Sequence, residues 1–236
     1  MNPNIRRYIA EFIGTFTLVF VGTAVATIQG ISGIQGVLGG GHGGAQWLEI
    51  AFAFGLTLMV LVLVIGPVSG CHVNPAVTIP MALAGRLKMQ LVPGYLIAQL
   101  SGGLVAAGLL RLLLGGMEAY YPTIHGVAAN GNPHDISIGS LLSFEIVLTA
   151  LFLLTIFSAT RSDSPAGFAA LAIGGYLFVA HLVGAQLGDA SLNPARSIGP
   201  AIIQGGDALG ILWLFIVGPL IGGVLGLGLY KVIYKD

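Results

Sequence analysis

The chain has 236 residues, of which 56% are hydrophobic and only 8% charged, and its acidic and basic side chains cancel to zero net charge. An ordinary soluble domain carries roughly 25% charged residues, so this composition excludes a water-soluble globule and places the chain in lipid. The lack of a basic excess excludes a nucleic-acid or polybasic-lipid partner, and the single cysteine, Cys71, excludes an internal disulfide or a cysteine-rich metal cluster.

Crossing a hydrocarbon core of about 30 Å as helix takes about 20 mostly apolar residues, and the first such run covers about 8 to 28. It follows Arg6 and Arg7 as a signal peptide would, but it is too long and no cleavage site follows, so it reads as a permanent span. A second span is expected over about 48 to 66. Next comes "SGCHVNPAV", then "VTIPMALAG", an apolar run too short to cross, which reads as a half-helix. The third span covers about 90 to 114, with small residues in "QLSGGLVAAG" that allow close helix approach. A connection over about 115 to 138 leads to spans at about 139 to 159 and 168 to 187. A second polar stretch, "DASLNPARS", precedes a second short run, "RSIGPAIIQGG". The last span covers about 210 to 233.

Lys and Arg are retained on the cytoplasmic side of a membrane. With the N-terminus inside, Arg6, Arg7, Arg86, Lys88, Arg161, Lys231 and Lys235 all fall on the inner face, and only Arg111 and Arg196 stand apart. Six spans with both termini cytoplasmic satisfy the rule, and the 115–138 connection is then extracellular.

The two halves of the chain repeat. "AEFIGTFTLVF", a span, Asn74-Pro75-Ala76 and a span are followed by "SFEIVLTALFLL", a span, Asn193-Pro194-Ala195 and a span. Residues 1–114 and 139–236 thus form two halves of one transmembrane domain, 1–236, joined by the 115–138 connection. Each half holds an odd number of spans, so the second enters the membrane from the opposite face, as in inverted-repeat transporters. The buried acids repeat too, as Glu11 and Glu145. A carboxylate at membrane depth must face the bundle interior and accept hydrogen bonds. A proton relay is the functional alternative, but the symmetric placement favours a structural role, each acid bracing the loop of its own half.

Asparagine is a favoured helix N-cap, and proline is favoured at the first helical position. Asn-Pro-Ala is therefore a helix start, which exposes unpaired N–H groups and about half a positive charge. Two half-helices entering from opposite faces would aim both positive ends at one spot and repel cations. The preceding segments, Gly70, Cys71, His72 and Val73 and then Gly188, Asp189, Ala190 and Ser191, would be extended. Irregular backbone at membrane depth is tolerated where it lines a water-filled cavity, and these carbonyls would form a ladder of acceptors. Each asparagine oxygen would cap its helix while its NH2 faces the cavity as donor. A neutral polar permeant fits this arrangement.

Over essentially the whole chain, "AEFIGTF", "SGCHVNPAVT", "SLNPARSIGPA" and "VGPLIGG" resemble the aquaporin or major intrinsic protein family. The resemblance implies an all-α membrane protein of six transmembrane helices plus two re-entrant half-helices, with a pore in each subunit of a homotetramer in a cell inner or plasma membrane. It implies no cofactor, no metal and no enzymatic activity. It also implies a selectivity constriction at Phe54, His181, Ala190 and Arg196, the first two placed by their spacing from Asn74 and Asn193. This set looks like the water-selective type. Phe and His narrow the aperture, and Arg196 adds a positive charge against cations. Glycerol facilitators tend to carry a small residue, an aromatic and an acid where His181, Ala190 and Ser197 stand. The alternative is a broader pore for glycerol, other small neutral solutes or gases, to which Ile216, in place of a tryptophan common in water channels, lends some weight. Pro67 replaces a residue usually polar, and the mercury-reactive cysteine of some relatives would stand at Ala190, so weak mercury sensitivity is expected. His72 is expected to be structural, and His42, His125 and His134 are expected on solvated loops. A membrane enzyme or ion-coupled transporter would need further ionisable groups in the spans beside Glu11 and Glu145.

Overall fold

The computed structural model describes residues 1–29, 45–115, 126–132, 136–165, 167–187 and 190–234. The expected pore carbonyls of Gly188 and Asp189, and His42, His125 and His134, lie outside the described residues. Among the described residues the regular structure is helical: α1 Pro3–Gln29, α2 Ala45–Ser69, α3 Pro75–Leu83, α4 Val92–Gly115, α5 Ile138–Ala159, α6 Phe168–Leu187, α7 Pro194–Gln204, α8 Asp207–Ile211 and α9 Leu214–Tyr234.

Six of these helices have 20 to 27 residues, and at 1.5 Å per residue they reach about 30 to 40 Å, enough to cross a bilayer. The 9 residues of α3 and 11 of α7 reach about 14 and 16 Å, half a crossing each. Polarity is distributed as lipid demands. Leu63, Val64, Ile97, Leu112 and Val232 face outward, whereas Glu11, Thr15, Thr23, Gln99 and Glu145 are buried. The chain is an integral, multi-pass membrane protein.

Two helix starts depart most from the sequence expectation. The first helix begins at Pro3 rather than near residue 8 because Asn2 caps it, its Oδ1 accepting from the Asn4 amide at 2.9 Å. This is a third Asn-Pro start. Hydropathy alone missed it because Arg6 and Arg7 occupy the first turns. The last span begins at Leu214, and the residues before it form the separate short helix α8.

Packing follows the repeat. Helix α1 packs on α2 and α4, α5 packs on α6 and α9, and α2 meets α6 across the centre. Each half-helix also lies against the final span of the other half, α7 on α4 and α3 on α9. Glycine permits that approach. A Cβ at Gly103 would lie 2.3 Å from the Ala195 carbonyl oxygen, and one at Gly223 would lie 2.4 Å from that of Ala76. With little hydrophobic drive between helices in lipid, such backbone contact is what holds them together. It also fixes the depth at which α3 and α7 stop, so that their N-termini meet.

Candidate functional site

Both half-helices start the same way. Asn74 and Asn193 have extended backbones, φ −160° and −152°, and their Oδ1 atoms accept from the Ala76 and Ala195 amides at 2.8 and 3.0 Å. Each side-chain oxygen thus satisfies a donor that a helix start leaves unpaired. The amide nitrogens cross between the halves. Asn74 Nδ2 donates to the Leu192 carbonyl at 2.8 Å, and Asn193 Nδ2 donates to the Val73 carbonyl at 2.9 Å. Each NH2 has two hydrogens, so one is used across the loops and a second remains. The Val73 carbonyl, expected only as a pore acceptor, is engaged by Asn193, and Leu192 is a bonding partner that the sequence did not indicate.

The approach segments are held by the two buried acids. Glu11 accepts from the His72 amide at 2.9 Å, the Val73 amide at 2.6 Å and Gln99 Nε2 at 2.7 Å. Glu145 accepts from the Ser191 amide at 2.7 Å and the Leu192 amide at 3.0 Å. With these N–H groups turned toward the acids, the intervening backbone takes an unusual form: Cys71, Val73 and Leu192 have φ of +52°, +45° and +55°. For β-branched Val73 this is a strained conformation, which persists only where the surroundings over-determine it. His72 Nδ1 lies 3.2 Å from Thr78 Oγ1, and its ring rests against Tyr95. In the other half Ser191 Oγ and Ser197 Oγ form the corresponding contact.

Toward the other end, Phe54 from α2 and His181 from α6 stack with ring centroids 4.4 Å apart, and the Arg196 guanidinium lies 5.2 Å from the Phe54 ring centre. Phe54, His181 and Arg196 line one narrow cavity together with His72, Asn74 and Asn193. The cavity leaves about 20 Å³ to the centres of water-sized molecules, the scale of one or two waters. Ala190 is fully buried, and its methyl packs against Gly184 of α6. His181 Nδ1 lies 2.9 Å from the Leu177 carbonyl, which can only accept, so Nδ1 carries the hydrogen in this contact. Its buried Nε2 has no protein hydrogen-bond partner among the described residues.

The family model for the major intrinsic proteins matches residues 1–230. The chain belongs to that family.

This major intrinsic protein is 42% identical, over all of its length and 95% of the relative's, to a protein named Aquaporin Z from Rhodopseudomonas palustris. It is 39% identical to an Aquaporin Z from Photorhabdus laumondii, covering 98% of this chain and 99% of the relative. Among solved structures it is similar to the X-ray structure of the aquaglyceroporin from Plasmodium falciparum, with a TM-score of 0.82, 26% identity and 98% of both chains covered.

The connection before α5, expected on the extracellular side, reaches back into this site. Arg196 Nη1 donates to the Ala128 carbonyl at 3.0 Å and to Asn130 Oδ1 at 2.8 Å, and Ser197 Oγ donates to the same Asn130 oxygen at 2.7 Å. The segment is tied down in turn by Gln204 at the end of α7, whose Oε1 accepts from the Val127 and Ala129 amides at 3.0 and 3.2 Å. In sequence, "AANGNP" carries only a turn signal. Gln99 and Thr78, joined at 2.8 Å beside Glu11, were also not indicated by any local pattern.

Proposed function

We propose that the chain is a passive channel that passes water in single file and excludes protons and ions. The observation that carries this reading is that both half-helix asparagines line the same narrow cavity as Phe54, His181 and Arg196. A water beside the asparagines would accept from the remaining hydrogen of each Nδ2, which occupies both its lone pairs and turns its own hydrogens outward along the pore. Such a water cannot accept a proton from its neighbour, so the proton wire is broken there. The N-terminal ends of α3 and α7 face each other through the crossed bonds of Asn74 and Asn193, and their partial positive charges oppose cations. At the constriction, Arg196 adds a full positive charge. The Aquaporin Z names of the relatives support the same reading.

The second reading, a broader pore for glycerol, draws support from the likeness to the Plasmodium aquaglyceroporin. The stacked Phe54 and His181 rings weigh against it, because a carbon-backboned solute has to pass the same gap with its CH groups facing polar atoms. In the water-channel reading Phe54, His181, Ala190 and Arg196 form the selectivity filter, with both termini cytoplasmic in an inner or plasma membrane. A homotetramer, implied by the family resemblance, would cover part of the exposed apolar face around Phe52, Leu56 and Val60. Stopped-flow light scattering on proteoliposomes tests the proposal. Vesicles holding the protein should shrink far faster than empty vesicles under an impermeant osmolyte, with glycerol uptake near the lipid background. Glycerol uptake rising in step with water flow would refute the narrow-filter reading.

A further inference from the structure

We infer that Asn130 is a positioning residue that sets the place of the Arg196 guanidinium and thereby the solute cut-off of the constriction. The inference rests on the water-channel reading and deepens it. Asn130 is buried, with 2% of its surface exposed, although it belongs to a connection and not to a helix. Its amide orientation is dictated by chemistry. Arg196 Nη1 is a donor at 2.8 Å, and an amide NH2 at that place would set donor against donor. Oδ1 must therefore face the guanidinium, where it also accepts from Ser197 Oγ at 2.7 Å.

The consequence is positional. An arginine on a flexible stem has many rotamers, and a charge-assisted hydrogen bond to a buried acceptor selects one. The bonds to Asn130 and Ala128 approach the guanidinium from the connection, while its flank lies over the Phe54 ring at 5.2 Å. These contacts hold Arg196 at the wall of the cavity that it lines with His181 and Phe54. The acceptor is itself anchored. Gln204 fastens the Val127 and Ala129 amides, and the Val127 side chain is fully buried against α4 beside Ala107, Leu110 and Leu114. Ala128, between them, has φ +50°, which turns its carbonyl toward Arg196. The segment 126–132 is thus a strap fixed at one end to α4 and α7, with its functional contact at Asn130. Because Asn130 is neutral, it holds the guanidinium without cancelling its charge.

The test compares the ratio of glycerol uptake to water flow in proteoliposomes of the parent, Asn130→Ala and Asn130→Asp. Asn130→Ala removes the acceptor, and its ratio should rise about tenfold, the scale set by loss of one charge-assisted hydrogen bond. Asn130→Asp keeps acceptor oxygens toward Arg196 and Ser197, and its ratio should stay near the parent's. Asn130→Leu keeps nearly the volume of the side chain but carries no acceptor, so a ratio raised as in the alanine variant separates positioning from packing, and a parent ratio there overturns the inference. If Asn130→Ala yields no folded protein, Asn130→Gln, which displaces the acceptor by one methylene, should show the same rise. A parent ratio in the alanine or glutamine variant, or an aspartate variant as permeable to glycerol as the alanine one, overturns the inference. A parent that conducts no more water than empty lipid overturns the channel reading and this inference with it. A parent that conducts water and excludes glycerol leaves the channel reading standing whichever way the variants behave.

Discussion

Replacing Glu11 with glutamine tests whether a buried acid holds the pore-lining backbone in shape. Oε1 of Glu11 accepts from the His72 amide, and Oε2 accepts from the Val73 amide and Gln99 Nε2. Glutamine offers one oxygen and two donor hydrogens, so whichever way its amide turns, at least one of these three N–H groups faces another donor. With the oxygen kept on the Val73 and Gln99 side, the His72 amide loses a charge-assisted bond of about 1.5–3 kcal/mol, and the other two weaken toward neutral strength by about 1 kcal/mol each. The sum is roughly 3–5 kcal/mol, a large share of the ~5–15 kcal/mol that holds a typical protein folded. At about 2–4 °C per kcal/mol for a chain of this size, the unfolding midpoint should fall by on the order of 10 °C. The permeability should fall as well. Val73 sits at φ +45°, a conformation that costs about 1–3 kcal/mol and needs its restraints, so releasing the His72 amide lets this backbone relax and turn its carbonyls away from the pore. Scanning-fluorescence unfolding of purified protein and stopped-flow shrinkage at matched channel density measure the two effects. A midpoint within about 2 °C of the parent, together with unchanged water flow, would refute the bracing argument.

Three further outcomes are expected. His181→Gly removes the ring stacked 4.4 Å from Phe54 and should raise glycerol uptake several-fold in the same vesicle assay. Gly22→Ala places a Cβ 2.2 Å from Phe54 Cε1; the ring has to shift toward His181, so water flow should drop, with an overpacking cost of about 1–3 kcal/mol visible in thermal unfolding. Arg86→Lys keeps the charge but loses the fork that donates to Thr160 Oγ1 at 2.8 Å and Tyr230 OH at 3.1 Å while lying over the Phe157 and Tyr230 rings. Because Arg86 is solvent-exposed, the loss should be only about 1 kcal/mol, read as a midpoint lower by a few degrees with water flow unaltered.

The fold was legible in the sequence to the extent that lipid makes it so. A backbone in hydrocarbon has to satisfy its own hydrogen bonds, so apolar runs of sufficient length become helices wherever they occur, and short runs become half-helices. The Asn-Pro starts were equally legible, because capping joins a side chain to an amide two residues on: Asn74 to Ala76 and Asn193 to Ala195. The same signal stands at Asn2-Pro3, where Arg6 and Arg7 lower the local hydropathy, so the first helix starts earlier than hydropathy indicates. Phe54, His181 and Arg196 were implied by the family resemblance, which their spacing from the two asparagines located in this chain, and in the structure they line one cavity.

What only the tertiary structure decided is where the polar groups of distant segments point. Asn74 reaches Leu192 across 118 residues of chain, Glu11 reaches His72 across 61, and Arg196 reaches Asn130 across 66. None of these pairs leaves a periodic or local trace. The direction of a carbonyl or an N–H depends on backbone angles such as the positive φ at Val73, Ala128 and Leu192, and valine, alanine or leucine at those places gives no hint of them. Composition and capping therefore determined that two half-helices would start inside a bundle of spans. Which atoms they would share on meeting was decided by long-range geometry, because hydrogen bonds are directional and the hydrophobic pattern that sorts a chain into helices is not.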